Sequence, residues 1–339
     1  MPTIKDVAKE AGVAVGTVSR YLNGVELKKE NRLKVEGAIK KLNFKINTIA
    51  RCLKTNRTNT IGIVIPDFTD IYATTIVRNI EQKLYEYGYN IFVCDSWGSL
   101  DLERNKVEIL VQKLVDGLII YPCSDDIAHL SEAKDNGIPI VTIDMAVKDF
   151  ECDQVLSDNI NATYKAVEWL INNNHKRIGL INGHEHSFTS GERLIGYQRA
   201  HEDYSLEIDR HLVKNSGYDE KSGYESLIEL MELANPPTAV VGCNYYTTVG
   251  IVKAINHMGI KVPEELSLIG FDDLGLSEVV KPALSVITQP MEEIGRKAAE
   301  LILSRINGEY HDFPTVVRLK TGFVLRDSAR RLGTTAKTS

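Results

Sequence analysis

The chain has 339 residues, 43% hydrophobic, 25% charged and 7% aromatic, with a formal net charge of −6. That length exceeds what one core holds, about 250–300 residues, so two or three domains are expected; the balance suits a folded soluble protein, and no run approaches the roughly 18 apolar residues of a membrane helix. The start has no apolar segment of a secretory signal, and five dispersed Cys without a CxxC pair exclude a simple structural zinc site and a disulfide framework and suit a reducing cytoplasm.

The charge is unevenly placed. Residues 1–60 carry thirteen Lys and Arg against five Asp and Glu, while 61–339 carry 27 against 41. A basic head suits a polyanion; an acidic body does not. In the head, Thr3-Ile4-Lys5-Asp6 reads as a capping box opening a helix, with Ile4, Val7, Ala8 and Ala11 as its apolar stripe and Gly12 as its stop. A second helix is expected over 15–22, with Val18 and Leu22 inward and Asn23-Gly24 ending it. A third is expected over 30–42, with Leu33, Val35, Ile39 and Leu42 apolar. Helix, Gly-containing turn and helix is the helix-turn-helix layout, whose second helix enters the DNA major groove.

Val15, Gly16 and Arg20 then point outward. The Arg20 fork matches a guanine edge, and Val15 offers apolar surface to a thymine methyl. Thr17, Ser19 and Asn23 are short hydrogen-bonders suited to phosphate. The segment 47–54 is helix-compatible but too short to stand alone, and Leu53 flanked by cations suits a wedge between minor-groove base steps.

Thr3-Ile4-Lys5-Asp6-Val7-Ala8, Gly12-Val13, Thr17-Val18-Ser19-Arg20, Asn23 and Ile49-Ala50-Arg51-x-Leu53 resemble the head and hinge of the lactose-repressor/galactose-repressor (LacI/GalR) family of bacterial transcription regulators. The resemblance implies a homodimer on a pseudo-palindromic operator, with Leu53 of each subunit in a central minor-groove step. Residues assigned to DNA on these grounds are Thr3, Val15, Gly16, Thr17, Ser19, Arg20, Asn23, Asn47, Ala50, Arg51, Leu53 and Lys54. The departures are Ala14 where the family has a capping Ser, Gly16 at a base-reading position, and Lys28, Phe44 and Ile46 for the usual Ser, Tyr and Pro. A lost N-cap costs about 1 kcal/mol and Gly lowers helix propensity, so a looser head reading bases chiefly through Arg20 is expected.

From residue 60 short apolar runs alternate with helical stretches. Strands are expected over 61–66, 90–95, 117–122, 139–144, 154–157, 177–182, 212–216, 239–243, 267–271 and 284–288, with helices such as 71–87, 102–114, 161–173 and 247–258. Runs without alternation are buried parallel strands, and repeated βαβ units make a doubly wound α/β fold. No dinucleotide glycine fingerprint, Walker motif, HExxH or GxSxG appears, so an enzyme is not expected. Two such units side by side form a cleft at the strands' carboxyl ends. Polar and aromatic residues there are Asp67, Phe68, Tyr72, Asp144, Thr189, Arg193, Tyr218, Asn244 and Asp272. Carboxylates, an Arg, an Asn and aromatic faces are what a sugar needs. The loop His184-Glu185-His186 lacks further ligands nearby and reads as solvated, without metal.

The family resemblance extends through Gly191-Glu192-Arg193-Leu194-Ile195-Gly196-Tyr197, Leu268-Ile269-Gly270-Phe271-Asp272-Asp273, Val262-Pro263-Glu264-Glu265-Leu266-Ser267, Gln289-Pro290 and Arg326-Asp327-Ser328, over about 3–330. It implies effector contacts at Arg193 and Asp272 and a periplasmic-binding-protein-like body of two subdomains joined by three crossovers. The division is a head at 1–46, a hinge at 47–59, and a body at 60–339. In the body, 60–160 with 290–325 form one subdomain and 161–289 the other. Tyr245 stands for a usual Asp and Ala73 for an aromatic; Ser187 stands where the purine-binding relative has Arg, which weighs against a purine. The tail from 332 has no leucine heptads for a tetramer. The function expected is a cytoplasmic DNA-binding repressor controlled by a small effector, a sugar by its chemistry, with no cofactor. A periplasmic-type solute-binding protein and a regulator controlled by a protein partner are the alternatives.

Overall fold

The computed structural model describes residues 2–22, 24–45 and 57–333. Asn23, Ile46, Asn47, Ala50, Arg51, Leu53 and Lys54, assigned above to DNA or its hinge, lie outside them. The chain divides into two units, Met1–Thr58 and Asn59–Ser339.

The first unit holds α1 (Ile4–Ala11), α2 (Val15–Leu22) and α3 (Lys29–Lys41). The capping box forms as its residues dictate. Thr3 N–H donates to Asp6 Oδ2 at 2.7 Å, and Asp6 N–H donates to Thr3 Oγ1 at 3.4 Å. Gly12 ends α1 with φ 64°, a left-handed stop that glycine adopts without strain. Val7, Ala8, Ala11, Val18, Val35 and Ala38 form the small core. Leu33, expected in the apolar stripe of α3, is 56% exposed; Val35 and Ala38 take the buried face instead.

The second unit contains two six-stranded sheets. In chain order the first lobe is built from β1 (Thr60–Ile65), α4 (Ile71–Tyr85), β2 (Asn90–Asp95), α5 (Leu100–Gln112), β3 (Gly117–Ile120), α6 (Ser131–Asp135), β4 (Ile140–Ile143) and β5 (Asp153–Ser157). The second lobe follows with α7 (Asn159–Asn172), β6 (Ile178–Asn182), α8 (Phe188–Asp203), β7 (Val213–Asn215), α9 (Glu220–Met231), β8 (Ala239–Gly242), α10 (Tyr245–Met258), β9 (Ser267–Phe271), α11 (Leu276–Val279) and β10 (Ser285–Thr288). The chain then returns to the first lobe with α12 (Met291–Ile306) and β11 (Val316–Leu319) before β12 (Gly322–Val324).

The sheet orders are β11-β5-β4-β3-β1-β2 and β12-β10-β9-β8-β6-β7. All pairings are parallel except β10 with β12. The inner strands of each sheet are buried on both faces. Ile61, Ile63 and Ile65 of β1 pack on the α4 and α12 side, while Val64 packs with Leu110 of α5. Ala239 and Val241 of β8 face α7, while Val240 joins Leu227 of α9 and Ile251 of α10. That two-sided burial is why these strands read as unbroken apolar runs. The paired helices touch closely where glycine allows it. A Cβ on Gly196 of α8 would meet the Ile160 carbonyl of α7 at 2.2 Å, and one on Gly250 of α10 would meet the Glu220 carbonyl of α9 at 2.0 Å.

Three crossovers join the lobes: β5 into α7, β10 into α12, and β11 into β12. The third falls at Lys320-Thr321, short of the boundary near 325 read from the sequence, because Gly322–Val324 pairs antiparallel with β10. Strands β11 and β12 were not among those expected. Both are short edge strands whose partners lie far away in sequence. Among the described residues, no helix is long and apolar enough to cross a membrane.

Candidate functional site

The head presents one solvent-facing strip. On α2, Val18 is fully buried, and this turns Val15, Gly16 and Arg20 outward together, with Val15 41% exposed. Arg20 has no ion pair among the described residues, whereas Arg32, Lys34 and Lys41 are engaged by Glu36, Glu30 and Glu10. Thr17 and Ser19 are half-buried at the strip's edge. Helix α2 opens without a side-chain cap at position 14: the Ala14 carbonyl accepts from Thr17 and Val18 N–H. Thr3 spends its hydroxyl on Asp6, donating at 2.8 Å.

In the body, carboxyl-end residues of both sheets converge. Asp144 follows β4 and Asp272 follows β9. Both are buried and both hold a left-handed backbone, with φ 64° and 67°. A buried non-glycine residue in that region is a local cost usually found at functional sites. Tyr72 and Tyr121 donate their hydroxyls to the two Asp144 oxygens at 2.8 and 2.6 Å. Burial first, and the Asp144 charge second, push both phenols well above their ordinary pKa, so they stay donors. Gln289 Nε2 donates to Asp272 Oδ1 at 2.9 Å.

Arg193 of α8, only 4% exposed, carries the positive charge that both carboxylates feel. Its Nε donates to Asn159 Oδ1 at 2.9 Å and its Nη1 to the Cys243 carbonyl, while the guanidinium stacks 4.1 Å from the Phe271 ring centre. Burial pushes the Asp272 carboxyl up to about 7; Gln289 and Arg193 hold it down, and Asp70 and Asp144 add repulsion. Burial likewise raises Asp70 to about 6, against its hydrogen bond from the Tyr72 N–H. Asp144 is raised by burial, opposed by Tyr121 and Arg193.

Four of the nine residues singled out in the sequence thus gather on this floor: Tyr72, Asp144, Arg193 and Asp272. Thr189, Tyr218 and Asn244 make a knot beside Arg193 in the second lobe. Tyr218 OH meets Thr189 Oγ1 at 2.7 Å and Ser190 Oγ at 2.6 Å, and its carbonyl accepts from Asn244 Nδ2 at 2.9 Å. The Asn244 Oδ1 caps α10 by accepting from Thr247 N–H at 2.7 Å, so its amide is occupied at both ends. Asp67 and Phe68 sit exposed at the rim, where the Asp67 carboxylate is held in its own turn by Thr69. Across this rim Tyr246 of α10 donates to the Thr69 carbonyl of the first lobe. The residues missed in the sequence are Asp70, Tyr121, Asn159, Phe271 and Gln289. Tyr121 directly follows β3, so the strand-end rule itself would have found it.

Two family descriptions match. Residues 3–47 match the model described as bacterial regulatory proteins, lacI family, and 167–329 match a periplasmic binding protein-like domain. The HTH-type transcriptional repressor PurR of Vibrio campbellii is 30% identical over 335 residues, covering 98% of this chain and 100% of that protein. The chain belongs to the LacI family of bacterial regulatory proteins. Among solved structures, a transcriptional regulator CelR–cellobiose complex is 28% identical, with a TM-score of 0.75 and coverage of 97% of this chain and 100% of the other. A regulator from Enterococcus faecium with bound ribose is 28% identical, covering 81% and 100%, with a TM-score of 0.73. The lac repressor dimer bound to operator has the same fold, with a TM-score of 0.86 at 24% identity over 97% and 99%. As a LacI-family member the chain is a transcriptional repressor with a DNA-binding head and an effector-binding body.

Proposed function

We propose that this repressor binds operator DNA as a homodimer in the cytoplasm, without a catalytic role, and that a small polyhydroxylated effector of the sugar class in the cleft sets its operator affinity. One observation carries the reading: the charge of a buried, stacked guanidinium, Arg193, reaches a carboxylate of each lobe, Asp144 and Asp272. A hydroxyl pair bonds well to a planar fork and to carboxylates, and an effector touching both lobes favours one lobe arrangement over another. Solved relatives holding cellobiose and ribose support the class. Arg193, Asp144, Asp272 and Tyr72 are proposed as effector contacts, with Thr189, Tyr218 and Asn244 supporting them and Asp67 and Phe68 at the entrance.

At the DNA, Arg20 reads a base and Val15 meets a methyl group, while Thr3, Thr17, Ser19 and Asn23 contact phosphate. Gly16 lets the backbone approach closely. Asn47, Ala50, Arg51, Leu53 and Lys54 form the hinge contact, with Leu53 wedged in the minor groove. The division into a head at 1–46, a hinge at 47–59 and a body beyond belongs to the same proposal. The effector shifts operator affinity only by its unequal binding to the two body states. Arg193→Ala tests the cleft: operator binding in a gel-shift assay should persist while stabilisation by sugars in a thermal-shift screen disappears. Retained sugar stabilisation in a folded variant would place the effector elsewhere.

A further inference from the structure

The cleft floor is rich in acceptors, and part of its donor capacity is already spent. Both tyrosyl hydroxyls that reach it, those of Tyr72 and Tyr121, are spent on Asp144. Arg193 has given one hydrogen bond to Asn159 and another to Cys243, which leaves three of its five N–H groups for a ligand. On the other side, Gln289 Oε1 is buried without a hydrogen-bond partner, although its Nε2 is fixed on Asp272. Asp272 Oδ2 likewise has no hydrogen bond among the described residues. The charge is uneven too: Asp70, Asp144 and Asp272 repel one another across the floor, and the cation whose charge reaches Asp144 and Asp272 is Arg193.

A neutral polyol entering this floor supplies hydroxyl donors but leaves the excess negative charge in place, with less water around it. A ligand with a protonated amine supplies several donors and the missing charge at one point, and charge-assisted bonds of that kind are the strong ones. Building on the effector reading above, we infer that the effector is a polyol bearing a cationic amine, of the amino-sugar class, with its ammonium held by Asp272 and the free Gln289 carbonyl. Asp144, locked by two phenols, is the weaker partner for the amine. The carboxyls that keep protons in the empty floor, Asp272 to about 7 and Asp70 to about 6, must give them up to face a cation. Amine binding therefore releases protons between pH 6 and 7, and neutral-sugar binding does not.

The test is calorimetry on the full-length protein with matched pairs: glucosamine and glucose, galactosamine and galactose, mannosamine and mannose. The expected result is that, in at least one pair, the amine binds more than about tenfold tighter at pH 7. Its affinity should rise from pH 5.5 to 7, and buffers of different ionisation heat should report released protons. Asp272→Asn should shrink the amine-over-hydroxyl preference about tenfold; the proton count on the unmodified protein decides the matter if that variant does not fold. Equal or tighter binding of the neutral member overturns the inference and leaves the cleft reading standing, as does amine binding without proton release. Binding of no member of any pair overturns both.

Discussion

Asp144 and Asp272 are counterparts in the two sheets. Each follows the third strand from the edge formed by β11 or β12. Each has a left-handed φ, 64° and 67°. Each donates its N–H to the neighbouring strand, to Val155 at 2.9 Å and to Ile287 at 2.7 Å. The two lobes therefore aim one carboxylate apiece at the cleft by the same backbone device. A mirrored pair is a natural clamp, because a ligand that bonds both senses the separation of the lobes.

The pair gives a pH signature without effector. The folded pKa of Asp272, about 7, lies above the ordinary 3.8, so the folded state binds more protons between those values. Stability must then fall as pH rises from about 4 to 7 and level off above. Asp70, raised to about 6, adds to the same slope. Melting temperatures across that range should decline in the unmodified protein and decline less in Asp272→Asn. Identical slopes would mean that Asp272 ionises normally.

A buried ion pair ties α12 to the first sheet. Arg305 Nε and Nη2 bond the two Asp153 oxygens at 2.8 and 3.0 Å, and the same carboxylate accepts from Thr315 N–H at 2.7 Å. Asp153→Ala leaves the buried guanidinium with Asp312 as its remaining ion-pair partner and should cost about 3 kcal/mol, the low end for a broken buried pair. Denaturant unfolding followed through the first lobe checks this; a loss under about 1 kcal/mol would show that water reaches the pair.

Gly16 offers a stabilising change. It is exposed, nothing lies within 4 Å of a built Cβ, and its backbone is not left-handed. Gly16→Ala should stabilise α2 by about 0.5–1 kcal/mol. Slower hydrogen exchange of the head amides is the readout, and unchanged exchange would argue that the helix is not what limits opening.

Arg20→Ala should remove about 1–3 kcal/mol of discrimination at one operator base pair and leave preferences elsewhere. Binding to a library of operators with single substitutions separates this from phosphate contact, which would weaken every sequence alike.

What could be read in advance followed the range of the interactions. The Thr3 and Asp6 box spans four residues and was fully legible, as were the apolar runs of β1, β8 and β9. Arg193 and Asp272 stood out because strand ends and a family resemblance both marked them. Strands β11 and β12 were not foreseen because only partners such as Gln154 and Val286, far back in the chain, make them strands. Asn159 and Gln289 were missed for a related reason. Each sits at a crossover, so its role appears only once two lobes are assembled around Arg193 and Asp272. Leu33 misled because helical spacing alone does not say which side of a short helix the partners occupy.

The late edge strands also order events during synthesis. The head draws its core from Val7 to Ala38, all contacts within one short stretch, and can form as soon as that stretch emerges. Each lobe waits for a strand beyond residue 315, so the cleft is finished only when almost the whole chain has been made. Recognition and control are thus separated in time. A message truncated before Val316 would yield a head able to fold and a body unable to close its sheets, so damage near the far end of the gene would strike the effector response at its foundation.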